Sequence, residues 1–190
     1  MKIEVYSDGS ATVATKPGGF GYVIVIDGKK VEEGNGYMAL ASNNDAELEA
    51  AIQGLAHVLK MRIEGKIPID SHEVYLVSDS QIVLGWVDGT YRFKQRNKRH
   101  KFEQLQHVVK KLNVKTRWVQ GHNGDEHNER CDELANMARK QMEKEEPKKT
   151  ILKIKSDVQL VLENAIKRIE LLEIKISELE ERLRNESTKF

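Results

Sequence analysis

Hydrophobic and polar positions alternate along three stretches near the start of the chain, which is the pattern of half-buried β-strands. These stretches cover residues 3–7, 20–26 and 30–37. The turn-forming sequences Pro17-Gly18-Gly19 and Asp27-Gly28 separate them. Because strands joined by such short connections pair as neighbours, the pattern predicts an antiparallel meander.

From Asn44 the apolar positions recur at spacings of three and four, which predicts a helix that ends before Gly65. Residues 73–77 and 115–119 have strand character, and further helices are expected over 80–87 and along two later apolar stripes. The stripes consist of Phe102, Leu105, Val109 and Leu112, and of Cys131, Leu134, Ala135, Ala138 and Met142. This order predicts an α/β fold with one mixed sheet and helices packed against it, because each apolar stripe must be covered.

The pattern changes after residue 142. Residues 143–150 are mostly charged and include Pro147, which favours a linker over a continuing helix. Beyond it, residues 151–190 carry the heptad spacing of a coiled coil. The seam consists of Ile151, Lys155, Val158, Leu162, Ala165, Ile169, Leu172, Ile176, Leu179 and Leu183. The predicted organisation is a domain at 1–142, a charged linker at 143–150 and a C-terminal coiled-coil helix at 151–190.

The heptad pattern predicts a parallel homodimer through residues 151–184. In such a pair Arg168 would meet Glu173 of the second chain, from position g to the following e. Lys175 would meet Glu180 in the same way. Apolar surface outside the seam is added by Ile154, Val161 and Ile166. That surface leaves two alternatives open, in which the helix packs on its own domain or binds the helix of a different protein.

The composition excludes several classes of protein. Thirty-one Lys and Arg nearly balance thirty Asp and Glu, so a net charge of +1 predicts no global attraction to nucleic acid. The single cysteine, Cys131, cannot form an internal disulfide, and no Cys and His residues have zinc-site spacing. The charged N-terminus argues against a signal peptide or a membrane span, so we expect a cytoplasmic protein.

Four acidic residues lie where predicted strands end or where predicted helices face the sheet. Asp8 closes the first strand and Asp79 closes the fourth, so pairing of those strands, about 5 Å apart, would bring both carboxylates together. Glu47 and Asp132 flank apolar helix stripes and are expected to point toward the sheet. We therefore expect a cluster of four carboxylates.

Such a cluster would repel itself, and divalent cations would relieve the repulsion. Oxygen ligands suit Mg²⁺ or Mn²⁺, and a pair of such ions can hydrolyse a phosphodiester. Asp in a turn, Glu at a helix start and Asp at a helix cap are also ordinary stabilising placements. Each residue taken alone fits that second interpretation as well.

The motifs of residues 1–142 resemble type 1 ribonuclease H in their order. They are Ser7-Asp8-Gly9-Ser10, Gly18-Gly19-Phe20-Gly21-Tyr22, Asn43-Asn44-Asp45-Ala46-Glu47-Leu48, Ser78-Asp79-Ser80-Gln81, Trp118-Val119-Gln120-Gly121-His122 and Asn128-Glu129-Arg130-Cys131-Asp132-Glu133-Leu134-Ala135. The resemblance implies a five-stranded mixed sheet flanked by helices. It also implies cleavage of the RNA strand of RNA–DNA hybrids, with 5′-phosphate and 3′-hydroxyl ends.

By this resemblance the four carboxylates hold two Mg²⁺ ions, for which Mn²⁺ is a possible substitute. His122 lies in the loop before the last helix, where an imidazole can transfer a proton or assist product departure. Cys131 lies on an apolar stripe and is assigned to core packing, because metal-dependent hydrolysis needs no thiol.

A local basic patch between residues 92 and 101 can neutralise phosphates. Its cations are Arg92, Lys94, Arg96, Lys98, Arg99 and Lys101, and the resemblance equates it with the basic protrusion that holds the hybrid. A merely solvated helix end is the alternative. Asn43, Asn44 and Gln81 match the family's positions that sense 2′-hydroxyls, and Ser42 matches one near a DNA phosphate. Residues 11–16 depart from the family, so the substrate contacts of that loop stay open.

Two other functions compete with this interpretation. Integrases, transposases and exonucleases of related fold use acidic clusters on DNA, so an all-DNA substrate is the enzymatic alternative. A non-catalytic protein that docks on hybrids and acts through its coiled coil is the second. The complete set of carboxylates beside His122 favours the hydrolase.

Overall fold

The computed structural model describes residues 1–14, 16–68 and 73–145, together with the isolated helical residues Gln159, Leu162, Arg168 and Lys175. The chain divides into two compact units, Met1–Lys144 and Glu145–Phe190. The first unit contains every predicted site residue. No described helix is both long enough and apolar enough to cross a membrane.

A five-stranded mixed sheet forms the centre of the first unit, in the order β3-β2-β1-β4-β5. Strands β1, β2 and β3 pair antiparallel, and β4 and β5 are added in parallel to β1. The strands are β1 (Lys2–Ala11), β2 (Gly18–Ile26), β3 (Lys29–Met38), β4 (Glu73–Ser78) and β5 (Lys115–Trp118). The predicted meander and the predicted mixed sheet are both confirmed.

Helices surround the sheet in the described part of this unit. They are α1 (Asn43–Ile63), α2 (Gln81–Asp88), the short 3₁₀ helix Arg96–Lys98, α3 (Arg99–Leu112) and α4, described over 126–145. Ser42 caps α1 through a capping box with Asp45, and Ser80 caps α2. Gly89 ends α2 in the left-handed conformation that glycine adopts without strain.

The helices cover opposite faces of the sheet with two apolar clusters. Residues of β1, such as Ile3 and Val5, pack under α1, α2 and α3. On the other face Tyr6, Val23, Val25 and Val77 pack against Cys131 and Leu134 of α4. Gly19 and Gly21 let α4 approach β2 closely, because a Cβ at either position would overlap the backbone of α4. The stripe predicted for the last helix is buried as expected, and Cys131 belongs to the core.

The structure corrects two of the predicted boundaries. Asp8 does not close the first strand, because β1 continues to Ala11, which pairs with Gly18 of β2. The predicted linker begins too early, because residues 143–145 continue α4. Glu143 forms a 2.9 Å ion pair with Arg139, one helical turn earlier in α4. Residues 146–150 and nearly all of the predicted coiled coil lie outside the described residues.

Candidate active site

Asp8 and Asp79 lie at the same end of two paired strands. Strands β1 and β4 run parallel with Tyr6 opposite Val77, and each carboxylate comes two residues later in its own chain segment. The side chain of Asp8 is 8% exposed, and its Oδ1 accepts a 2.7 Å hydrogen bond from the N–H of Gly9. The sheet therefore brings together the two carboxylates that the sequence analysis paired.

Glu47 lies near Asp8 because α1 packs directly against β1. A Cβ at Gly9 would overlap the backbone of Ala46 and Glu47, so only glycine permits the approach. The carboxylate of Glu47 is then held from two sides. Its Oε2 accepts a 2.6 Å hydrogen bond from Ser80 Oγ, and its Oε1 accepts a 2.7 Å hydrogen bond from Asn43 Nδ2.

Asp132 lies on the first part of α4, where that helix packs on β2. Its Oδ1 accepts a 2.7 Å hydrogen bond from Asn136 Nδ2, one turn further along the helix. Asn136 Oδ1 in turn accepts a 2.7 Å hydrogen bond from Ser10 Oγ of β1. The fourth carboxylate is thus connected through side chains to the strand that carries Asp8.

Electrostatic interactions connect Asp8 to the other three carboxylates. Burial and the charge of Asp79 raise the pKa of Asp8 from an ordinary value of 3.8 to about 8, although the N–H of Gly9 opposes the shift. Asp132 and Glu47 raise it further. Burial also raises the pKa of Glu47, against the hydrogen bond from Ser80 and together with the charge of Asp79. The negative charges of the neighbouring carboxylates therefore act most strongly on Asp8.

The donor set fits hard divalent cations such as Mg²⁺ or Mn²⁺, which prefer carboxylate oxygens. Crowded carboxylates with a raised pKa gain most from a cation, because the cation stabilises their ionised form. Within the described residues no three Asp, Glu, His or Cys side chains already form a closed metal site. Glu47 and Asp132 instead point their oxygens at hydrogen-bond donors of the protein.

The loop before α4 contacts the carboxylate of Asp79. A Cβ at Gly121 would overlap Asp79 Oδ2, so the loop backbone lies directly on this side chain. Trp118 Nε1 donates a 3.1 Å hydrogen bond to the backbone oxygen of Asp79. The next residue after Gly121, His122, is exposed and has a positive φ of 51°. The imidazole is thus carried by a loop that is built against the site.

The polar residues predicted to sense the hybrid lie around the start of α1 and α2. Ser42 is engaged in the helix cap, where its Oγ donates a 2.6 Å hydrogen bond to Asp45 Oδ2. Asn43 is exposed and also binds Glu47, which links this group to the carboxylates. Asn44 is half-buried and Gln81 is exposed at the first position of α2. All four residues are therefore at least partly open to solvent beside the cluster.

The basic patch divides into paired and open cations. Lys98 forms a 2.5 Å ion pair with Asp45, and Lys101 forms one of 2.5 Å with Glu49, so both lysines are bound to α1. Arg99 pairs with Glu103 on its own helix at 3.2 Å. The remaining cations, Arg92, Lys94 and Arg96, are exposed and make no ion pair with another described residue. The patch is thus anchored at one end and open at the other.

Sequence reasoning missed Ser80, Asn136, Ser10 and Arg139 as members of the site. Ser80 follows Asp79 directly in a matched motif and can be found from that position, whereas nothing local distinguishes Asn136. Ser10 is 126 residues from Asn136 in the chain, so only the fold brings them within hydrogen-bonding distance.

Comparison with known proteins gives a consistent result. The RNase H family model matches residues 1–140. Ribonuclease H of Aeromonas hydrophila subsp. hydrophila is 36% identical over 140 residues, covering 72% of this chain and 89% of that relative. Ribonuclease H of Geotalea uraniireducens is 36% identical over 142 residues, covering 73% of this chain and 94% of that relative. The crystal structure of LC11-RNase H1 in complex with RNA/DNA hybrid has a TM-score of 0.63 and 29% identity, covering 73% of this chain and 97% of that one.

Proposed function

The chain belongs to the ribonuclease H family and is a ribonuclease H enzyme, and we propose that it cleaves the RNA strand of RNA–DNA hybrids as an endonuclease at its four clustered carboxylates. The proposed catalytic residues are Asp8, Glu47, Asp79, Asp132 and His122. The hybrid complex of the similar LC11-RNase H1 supports this choice of substrate. We further propose that the products carry 5′-phosphate and 3′-hydroxyl ends.

One observation carries the proposal. Three carboxylates from other parts of the fold, Asp79, Asp132 and Glu47, act together on Asp8, whose pKa is raised to about 8 chiefly by burial and by Asp79. A fold gains no stability from such crowding, because ionised carboxylates near one another repel. Perturbed groups of this kind cluster at functional sites, where their environment serves the reaction.

We propose that the four carboxylates hold two Mg²⁺ ions, which Mn²⁺ can replace. Ions held by these carboxylates would supply activation of a water molecule and stabilisation of the leaving oxygen of a phosphodiester. The chain's own residues prepare the ligands. Ser80 and Asn43 hold Glu47, and the N–H of Gly9 holds Asp8.

His122 is proposed to move a proton or to assist product release. Its exposed position next to Gly121 supports this, because the imidazole can reach solvent while its loop stays on Asp79. An imidazole can donate a proton to a departing 3′-oxygen, which is the step that it would assist.

Recognition of the hybrid is proposed to use two groups of residues. The first group senses 2′-hydroxyls and the adjacent backbone beside the carboxylates. It consists of Ser42, Asn43, Asn44 and Gln81. The second group is the basic patch, which neutralises phosphates without regard to sequence. It consists of Arg92, Lys94, Arg96, Lys98, Arg99 and Lys101.

Cleavage of an end-labelled RNA–DNA duplex with Mg²⁺ tests the reaction, beside EDTA, the variant Asp79→Asn, and all-RNA and all-DNA duplexes of the same sequence. We expect cutting of the hybrid's RNA strand alone, abolished by EDTA and by Asp79→Asn. Phosphatase treatment should shift the mobility of the 3′-labelled RNA fragment, which carries the new 5′-phosphate, and leave unchanged a 5′-fluorophore-labelled fragment, which ends in the new 3′-hydroxyl. Separate experiments with Mn²⁺ compare the two cations.

Two results would replace the proposal. Cleavage of the all-DNA duplex would assign the domain to the DNA-cutting enzymes of related fold. Binding of the hybrid without cleavage, with Mg²⁺ and with Mn²⁺, would favour a scaffolding protein. Removal of residues 146–190 would then test whether the C-terminal segment carries the function.

We also propose that residues 151–184 form a parallel homodimer, with a helix of a partner protein as the alternative. The support is the heptad spacing and the charge pairing between positions g and e. A dimer would hold two active sites close together on one hybrid and raise their effective concentration. Analytical ultracentrifugation at tens of micromolar tests this. A sedimentation mass near twice 21.7 kDa supports the dimer, and a monomer contradicts it.

A further inference from the structure

A chain of hydrogen bonds runs from Arg139 to the carboxylate of Asp132. Arg139 Nε donates to Ser10 Oγ at 3.0 Å, and Ser10 Oγ donates to Asn136 Oδ1 at 2.7 Å. Asn136 Nδ2 then donates to Asp132 Oδ1 at 2.7 Å. Four side chains of β1 and α4 are thus connected in one line that ends at a proposed ligand.

The direction of every bond in this line is set by chemistry. A guanidinium has donors and no acceptor, so Ser10 Oγ must accept from Arg139 and is left to donate its own hydrogen to Asn136. Asn136 Oδ1 also accepts from Arg139 Nη2 at 3.2 Å. The amide of Asn136 is therefore oriented with its oxygen toward Arg139 and its NH₂ group toward Asp132.

Arg139 is itself held in place. Its side chain is 13% exposed, and its Nη1 forms a 2.9 Å ion pair with Glu143. The close packing of α4 on β2 at Gly19 adds to this, because Gly19 lies against the backbone of Ala135 and Arg139. Arg139, at the start of this hydrogen-bond chain, thus lies in a well-packed part of the fold.

We propose that Asn136, Ser10 and Arg139 are positioning residues that hold Asp132 in the orientation needed to bind a divalent cation. Asn136 occupies Oδ1 of Asp132, while Oδ2 makes no hydrogen bond with another described residue. One oxygen is thereby fixed by the protein and the other is open to a cation. This inference rests on the proposed function, since it concerns a ligand of the same site.

Ser10 contacts Asn136 and acts on Asp132 only through it. A positioning role can therefore be distinguished from a general contribution of Ser10 to stability. Removal of the Ser10 hydroxyl should matter when Asn136 is present and have no further effect when Asn136 is absent. Two independent stabilising contacts would instead give additive losses.

Titration calorimetry with MgCl₂ on the full-length protein tests this without substrate, using Asn136→Ala, Ser10→Ala and the double variant. We expect Asn136→Ala to weaken Mg²⁺ binding about tenfold, as is typical when a hydrogen-bond partner of a metal ligand is lost. Ser10→Ala should weaken it less, and the double variant should match Asn136→Ala. The kcat for the hybrid should fall with these values while KM changes little.

Asn35→Ala is the matched control, because Asn35 Nδ2 also donates to α4, at 3.3 Å, but to the backbone oxygen of Leu134 and not to a proposed ligand. It should keep the wild-type Mg²⁺ affinity. Folded Asn136→Ala and Ser10→Ala proteins with affinities within twofold of wild type, or strictly additive losses, would overturn the proposal. If Asn136→Ala fails to fold, the Mg²⁺ affinity of Ser10→Ala alone decides between the outcomes, because that substitution removes only one oxygen atom. Wild-type protein that neither binds Mg²⁺ nor cleaves would contradict the proposed function itself.

Discussion

Ser80 Oγ donates a 2.6 Å hydrogen bond to Glu47 Oε2 and so connects the first turn of α2 to a carboxylate on α1. The same oxygen accepts from the N–H of Val83 at 3.4 Å as the N-cap of α2. One side chain therefore serves both the stability of a helix and the orientation of a proposed ligand.

These two roles can be separated by two substitutions. Ser80→Ala removes the cap and should lower the free energy of unfolding by about 1 kcal/mol, whereas Ser80→Gly should cost only a few tenths. Both remove the hydrogen bond to Glu47, so both should lower kcat about tenfold. Chemical denaturation and hybrid cleavage measure the two effects. Full activity of Ser80→Gly would show that Glu47 needs no help from Ser80.

Crowding at Asp8 predicts how stability depends on pH without divalent cations. The pKa of Asp8 is raised from 3.8 to about 8 in the folded protein by burial and the charge of Asp79. The folded state therefore holds its proton more tightly than the unfolded state does. The stabilising contribution of this group is complete below pH 4 and is lost as the pH rises through about 8.

Asp8→Asn removes this ionisation and should stabilise the protein in EDTA by about 2 kcal/mol at pH 8, with a much smaller effect at pH 4. This gain is smaller than the full electrostatic cost of the buried charge, because water entry and relaxation reduce that cost. Thermal unfolding across this pH range measures the difference. Addition of Mg²⁺ should raise the Tm of wild type more than that of Asp8→Asn. An equal effect of the substitution at both pH values would contradict the assignment.

The sequence identified the four carboxylates as candidates because each lies in a motif whose residues are adjacent in the chain, and their role as metal ligands stays a prediction. It also predicted the buried stripe of α4, since helical periodicity alone marks that face. It could not predict that β1 continues past Asp8, because that depends on the pairing of Ala11 with Gly18. The ion pair between Lys98 and Asp45 joins residues 53 apart, and no local pattern encodes such contacts.

The contact between the backbone of Gly121 and Asp79 predicts that activity is sensitive to substitution at this position in the loop before α4. Gly121→Ala would place a methyl group against Asp79 Oδ2, so we expect Asp79 to be displaced and kcat to fall by roughly a hundredfold, since small misplacements at a reacting centre have effects of that size. Gly124 is a control in the same loop, because a side chain there would enter open space and its φ of +80° is one that Asn tolerates. Gly124→Asn should stay within twofold of wild type in the cleavage assay. Equal losses in both variants would point to general disruption of the loop.

The division of the basic patch into paired and open cations predicts different effects on binding and stability. Arg96 makes no ion pair with another described residue, so Arg96→Ala should weaken hybrid binding and reduce the slope of log K against log salt by about 1. Lys101 pairs with Glu49, whose side chain is 15% exposed. Lys101→Ala should change the slope less and lower the free energy of unfolding by about 1 kcal/mol.

Fluorescence anisotropy with a labelled hybrid in EDTA, at several KCl concentrations, measures both slopes without cleavage. Lys110→Ala, near the other end of α3, is the control for the loss of one positive charge, and we expect its slope to match wild type. Equal slope changes for Arg96→Ala and Lys101→Ala would mean that the hybrid displaces Glu49 from Lys101. No slope change for either variant would show that the patch does not contact phosphates, and would leave its cations as a solvated helix end.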